Sequence, residues 1–221
     1  LADRRRNEQK EAQFKANSKV NLDDLFALGT DHDWAILGAG VREGDERMRQ
    51  ILAEQDYLSS VIELDPAGGS VRVIGAMPGF VPVAPGNAAL IAAMSDSAIR
   101  IVSLTVTEGG YYIDPKTGTF SPDHPDIQKD AKNPAMPDTA FGAIIAALKA
   151  RRAGGLEPFT VMCCDNVPHN GHVTRDAVVG LTKLSDPELA EWIAANVAFP
   201  NSMVDRITPA TGPRELAMAL D

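Results

Sequence analysis

One uncharged run constrains the fold more than any other stretch: Phe159-Thr160-Val161-Met162-Cys163-Cys164. Six apolar or small residues without a charge read as a strand covered on both faces, the condition of a strand inside an α/β sheet. The run stops abruptly in Asp165, Asn166, His169 and Asn170, with Pro168 and Gly171 shaping a loop. Ligands of open α/β sheets bind at the carboxyl ends of strands, so this polar cluster is the first place to expect a site.

The rest of the chain repeats the alternation of strand and helix expected of an α/β fold with a largely parallel sheet. Trp34–Leu37 is a short strand closing on Gly38-Ala39-Gly40. Asp45–Gln55 has helical spacing, with Met48, Ile51 and Leu52 on one face. Tyr57–Leu64 and Val71–Met77 flank the turn chemistry of Asp65–Gly69 and predict a hairpin. Asn87–Met94 reads as a short helix and Ile99–Val106 as the strongest strand, ended by Thr107-Glu108-Gly109-Gly110. Residues 114–137 hold five prolines and predict an irregular excursion with one short helix near Asp126–Ala131. Thr139–Arg152 places Phe141, Ile144, Ile145 and Leu148 on one helical face and ends at Gly154-Gly155. Val173–Leu184 is helical, with His169 and Gly171 left in the loop. Ser185, with Pro187 and Glu188 behind it, predicts the cap of a last helix over Leu189–Val197.

Composition excludes several classes. The chain has 221 residues, 44% hydrophobic and 23% charged, and a net charge of −9. A general nucleic-acid binder would carry a basic footprint, which this balance opposes. The basic residues Arg4, Arg5, Arg6, Lys10, Lys15 and Lys19 are interleaved with Asp3, Glu8 and Glu11, as on a solvated helix or frayed arm. No stretch reaches the ~20 apolar residues of a membrane helix. The only cysteines, Cys163 and Cys164, are adjacent and cannot easily bridge, so a reducing, cytoplasmic setting is expected.

Several residues invite chemistry. Gly38-Ala39-Gly40 after a strand suggests a dinucleotide loop, but the third glycine of the pattern falls on Glu43; a bare glycine turn is the equal alternative. Spacing alone would then nominate Glu63 as the ribose acid. Asp165, His169 and His172 lack the companions of a recognised metal set, so no metal is expected. No serine stands in a nucleophile elbow. Glu108, between the strongest strand and two glycines, is either a capping acid or an acid at the sheet edge. Asp205 and Arg206, in a proline-flanked loop, read alone as a structural pair.

Three blocks together go further: Ile101–Asp114 (IVSLTVTEGGYYID), Phe159–Gly171 (FTVMCCDNVPHNG) and Phe199–Thr211 (FPNSMVDRITPAT). With Trp34–Asp56 and Phe141–Gly155 they resemble the mannitol dehydrogenase family, the zinc-independent, long-chain polyol dehydrogenases. The likeness runs from about Leu22 to Thr211. It implies a Rossmann-like domain binding NAD in preference to NADP, with a sugar alcohol or 2-ketose as substrate and no metal. It implies that Asn166 hydrogen-bonds the reacting oxygen, that Asp205 binds substrate hydroxyls and that Glu108 relays protons. It also makes Trp34–Leu37 the second strand of the nucleotide-binding unit. Gly38 and Gly40 then come directly after that strand, Asp45 becomes the ribose-binding acid, and Glu63 loses its role.

Residues 1–21 depart from the family. They contain no glycine and no apolar strand, where it has a first strand and a glycine loop; Leu22-Asp23-Asp24-Leu25 matches the family again, at the segment beyond that loop. The expected organisation is a polar, helical segment over 1–21 and a Rossmann-like domain over 22–221. The family's helical second domain, with its lysine base, is not among these residues. The chain is therefore expected to be inactive alone and to offer a docking face for that domain or for self-association. A non-catalytic relic or interaction module is the alternative.

Overall fold

The computed structural model describes residues 22–29, 32–65, 68–203 and 212–218, with the backbone alone at 64, 65, 108 and 216. The expected character of residues 1–21 lies outside the described residues. The chain divides into two compact units, one of residues 1–81 and 206–221, the other of Pro82–Asp205.

In the first unit residues 22–27 are helical (α1). A strand β1 (Leu37–Gly38) leads into helix α2 (Glu43–Glu54), then into strands β2 (Ser59–Asp65), β3 (Gly68–Ile74) and β4 (Gly79–Phe80). β2 and β3 form the expected antiparallel hairpin, in register from Ser59↔Ile74 to Asp65↔Gly68. β4 returns parallel to β1, with Gly38 opposite Phe80. Among the described residues, the core of this unit is a cluster of Leu52, Met77 and Phe80, with Ile36 and Tyr57 packed on them. Arg72 of β3 ties α1 to the hairpin through Asp24, at 2.5 Å. Asp23 at 3.7 Å and Glu63 at 3.8 Å complete its acidic surroundings.

The second unit opens with helix α3 (Ala88–Ser95), followed by strand β5 (Ile101–Leu104) and helices α4 (Pro125–Lys132) and α5 (Ala140–Ala153). Strand β6 (Thr160–Cys163), α6 (Asn170–Ser185) and α7 (Pro187–Asn196) complete it. β5 and β6 are parallel neighbours, from Ile101↔Thr160 to Leu104↔Cys163. The crossover between them carries α5, whose predicted stripe of Phe141, Ile144, Ile145 and Leu148 is buried together with Ala143 and Ala147. Full burial of a side chain such as Leu148 contributes roughly 1.5–3 kcal/mol. Arg151 closes the end of α5: its Nη1 donates to the Met94, Asp96 and Ile99 carbonyls at 2.7–3.1 Å, and its Nε donates to Glu157 O. A final helix, α8 (Pro213–Met218), belongs to the first unit.

The expected parallel strands with flanking helices are present: β1–β4 and β5–β6 pair in parallel, and the described strands form three two-stranded sheets. Two sequence expectations need correction. β6 is not covered on both faces: Val161 and Cys163 are buried, but Thr160 and Met162 are half-exposed. The cap of α7 is Asp186, not Ser185; Asp186 Oδ1 accepts from Leu189 N at 3.1 Å, while Ser185 is the last residue of α6.

Candidate functional site

The parallel pairing of β5 and β6 brings their carboxyl ends to one edge, where Cys164 N donates to Leu104 O at 2.9 Å. The segments leaving the two strands therefore meet there. After β5 the chain makes a 3-10 turn at Glu108–Tyr111. Thr107 enters it with φ 63° and ψ 166°, a region that β-branched residues rarely occupy. Tyr112 leaves it in the left-handed region, at φ 53°. Between them Tyr111 is fully buried. Its hydroxyl donates to Asp165 Oδ2 at 2.7 Å and lies 2.8 Å from Cys163 Sγ.

Burial decides the protonation of this cluster. Desolvation, then the nearby Asp165, push the Tyr111 phenol far above its ordinary range. Burial likewise raises the Cys163 thiol and pushes Cys164 up to about 12. Both cysteines are free thiols. Asp165 is buried beside Asn166, which is exposed to solvent and offers both a donor and an acceptor.

Beyond Asn166 the loop is shorter than expected. α6 begins at Asn170, so Gly171 and His172 lie in its first turn rather than in a loop, and His169 takes the left-handed N-cap position, at φ 51°. Pro168 and Gly171 did not prevent the helix, because proline stands before the first turn and glycine is needed for packing. A Cβ on Gly171 would lie 2.5 Å from Phe199 O. The two imidazoles stack at 6.0 Å between centroids. Among the described residues no group of three or more His, Cys, Asp or Glu is placed to hold a metal ion.

A second segment is clamped onto this helix start. Asn170 Nδ2 donates to Ser202 O at 3.0 Å, and Asn170 Oδ1 accepts from Ser202 N at 2.9 Å. Gly171 N donates to Asn201 Oδ1 at 2.9 Å, and Ser202 Oγ donates to Cys163 O. The Phe159–Gly171 block thus holds residues 201–202 in place. Asp205 and Arg206, a few residues on, lie outside the described residues.

Gly38, Gly40 and Asp45 meet in the first unit, at the turn from β1 to α2. A Cβ on Gly38 would lie 2.5 Å from the Phe80 ring, and a Cβ on Gly40 would overlap the Asp45 side chain. The Asp45 carboxylate folds back over the glycine turn and accepts from Arg42 N at 3.0 Å. Negative charge in a helix's first turn is favourable, so part of the reason for Asp45 is local. Around Gly44 the space is open. Glu63 lies elsewhere in the unit, beside Arg72.

The structure therefore brings together the Glu108 turn and Asn166 at one edge, and the two glycines and Asp45 at another turn. Sequence reasoning missed Tyr111 and Ser202; it placed Asp165 and Asn170 in the polar cluster after the strand without the partners the structure gives them. Tyr111 and Tyr112 are adjacent and chemically alike; only the register of the turn shows which one is buried.

Residues 20–220 match the model of the mannitol dehydrogenase Rossmann domain. The chain belongs to the mannitol dehydrogenase family. Among family relatives, mannitol 2-dehydrogenase of Cereibacter sphaeroides is 69% identical over 93% of the chain and 43% of its own length. Polyol:NADP oxidoreductase of Gluconobacter oxydans is 46% identical over 94% of the chain and 43% of its own length. Among solved structures, Pseudomonas fluorescens mannitol 2-dehydrogenase in ternary complex with NAD and D-mannitol superposes with a TM-score of 0.84 and 45% identity, over 93% of the chain and 42% of that structure. The family's Rossmann architecture, strands with flanking helices, is the one observed, and the match runs across the described residues of both compact units. The chain spans less than half the length of these relatives.

Proposed function

We propose that this chain is the cofactor-binding domain, over residues 22–221, of an NAD-dependent polyol 2-dehydrogenase that interconverts a sugar alcohol and a ketose. The observation that carries the reading is the likeness, across 93% of the chain, to a mannitol 2-dehydrogenase solved with NAD and D-mannitol. The β1 turn fits the adenosine end of such a cofactor: an acid held at a strand end, with open space at Gly44. Asp45 would accept from a ribose 2′-hydroxyl and repel a 2′-phosphate, which favours NAD over NADP. Gly38 and Gly40 keep the backbone of that turn close-packed.

NAD, when bound, supplies the hydride acceptor for the polyol carbon. Asn166, exposed at the β6 end, hydrogen-bonds the reacting oxygen and stabilises charge developing there. Asp205 binds substrate hydroxyls. Glu108, at the β5 end, passes the released proton toward solvent. In the family the base is a lysine of a second domain, so these residues alone bind cofactor without turning over polyol. The partner of the domain is then that second domain or, failing it, another copy of the chain. A cytoplasmic setting, rich in NAD and reducing enough to keep both thiols free, suits this chemistry.

Titration calorimetry of the chain with NAD and with NADP tests the cofactor reading: NAD binds more tightly, and Asp45→Ala removes the preference. Equal binding of both cofactors by the unsubstituted chain would overturn the role of Asp45. Nicotinamide absorbance with mannitol or arabinitol tests the activity: turnover in the protein expressed from its whole reading frame, and none with these 221 residues.

A further inference from the structure

We propose that Tyr111 is a positioning residue, whose buried phenol locks the Glu108 turn to the Asn166 loop and so sets where Asn166 meets the reacting oxygen. The proposal rests on the polyol reading for its chemistry, and on geometry alone for the lock.

The phenol is the link between two segments that share no covalent path shorter than the β5–β6 crossover. Its ring is fully buried and packs on Phe141 of α5, with centroids 5.8 Å apart. Its one proton goes to Asp165 Oδ2 at 2.7 Å, so the Cys163 thiol, 2.8 Å away, is the donor to its oxygen. Hydrogen bonds in such a series strengthen one another in a buried setting. Asp165 is held at its other end too: its carbonyl accepts from Val167 N at 2.9 Å and from Asn170 Nδ2 at 3.2 Å. Asn166 thus projects to solvent from a loop fixed immediately before and after it.

On the opposite side of the bond, Thr107 and Tyr112 bracket the turn in conformations unfavourable to residues with a Cβ. Such conformations persist only where surroundings over-determine them, and they gather at functional sites. The Tyr111 anchor is the tie that holds this turn against the end of β6. A phenylalanine at 111 keeps the ring and its packing and removes the hydroxyl.

Two measurements test the lock. Hydrogen exchange on the chain compares unsubstituted protein with Tyr111→Phe. Exchange is expected to accelerate at 107–112 and at 164–167 together, with α7 unchanged; acceleration confined to 107–112 would overturn the proposal. The kinetic arm uses the protein expressed from its own reading frame. Tyr111→Phe should lower kcat for polyol oxidation about tenfold, the equivalent of one hydrogen bond, with KM for cofactor unchanged. In an Asn166→Ala background the same substitution should cost nothing more; an equal loss there would show that Tyr111 acts otherwise than through Asn166. Asp165→Ala removes the acceptor from the other side of the bond, and its agreement with Tyr111→Phe guards against a folding defect peculiar to either. If the unsubstituted protein turns over no polyol, the polyol reading falls, and the exchange experiment still decides for or against the lock.

Discussion

Gly171 has no side chain, yet the β6 edge depends on it. Its Cα lies against the Phe199–Pro200 backbone, so Gly171→Ala pushes α6 away from the segment that Asn170 holds. Overpacking against backbone costs about 1–3 kcal/mol, and a urea titration should show a lower midpoint at unchanged slope. Nothing in the sequence distinguishes this glycine from a loop glycine; Pro168 beside it argued for a loop, and the tertiary contact with 199–200 decided otherwise. The polar cluster after β6 was legible because the uncharged run stops abruptly at Asp165; within it, only the family resemblance singled out Asn166. Tyr111 was not, because the side chain that receives its proton is 54 residues away. The thiols give a second check at this scale. With Cys164 pushed up to about 12 and Cys163 raised as well, neither is nucleophilic near neutrality. A colorimetric disulfide reagent at pH 8 should leave both untouched in the folded chain and label both in urea; rapid labelling of folded protein would show that this burial is wrong.

Whole elements were easier to foresee than their ends. α5 was predictable because four large apolar residues recur at helical spacing, and burial on that face outweighs any choice of cap. The start of α7 was not, since Ser185 and Asp186 are both competent caps and their roles were settled by where α6 stops. The two candidate caps differ in what their loss should do. Asp186→Ala should cost about 1 kcal/mol or somewhat more, because it removes the cap and the 2.8 Å pair with Lys149. Ser185→Ala should fall within about 0.5 kcal/mol of the unsubstituted chain. Thermal melts of the two variants check this. The strands show the converse limitation. A β-branched run marked β5 and an uncharged run marked β6, but the partner of each strand is set by topology rather than by local pattern.

At the scale of the molecule the two units are unequally provided. The large core, from Met94 to Val197, lies within residues 82–205, while the other unit relies on a cluster around Leu52, Met77 and Phe80. Amide exchange should therefore show the slowest amides in α5, α6 and β6 and earlier opening in α2 and the hairpin. The pH dependence has a definite sign. The folded chain holds the Cys164 proton to about pH 12, against an ordinary value of 9.0. Its stabilising effect is thus complete below about pH 9 and is lost as pH rises from there toward 12, with the raised Tyr111 acting in the same direction. Denaturation midpoints measured upward from pH 8 should fall; a flat profile to pH 11 would contradict it.

The hairpin carries one more consequence, for how the chain behaves at high concentration. β2 and β3 pair only with each other among the described strands, and Val71 and Val73 stand 41% and 61% exposed on β3. Exposed valines on such a hairpin are a template for chain-to-chain association. The net charge of −9 opposes such encounters at neutral pH, but that repulsion vanishes near the pI of about 4.9. Light scattering should rise as solutions are brought toward that pH, and Val73→Lys should delay the rise without changing the fold, which would make colloidal behaviour a property of one exposed pair of valines.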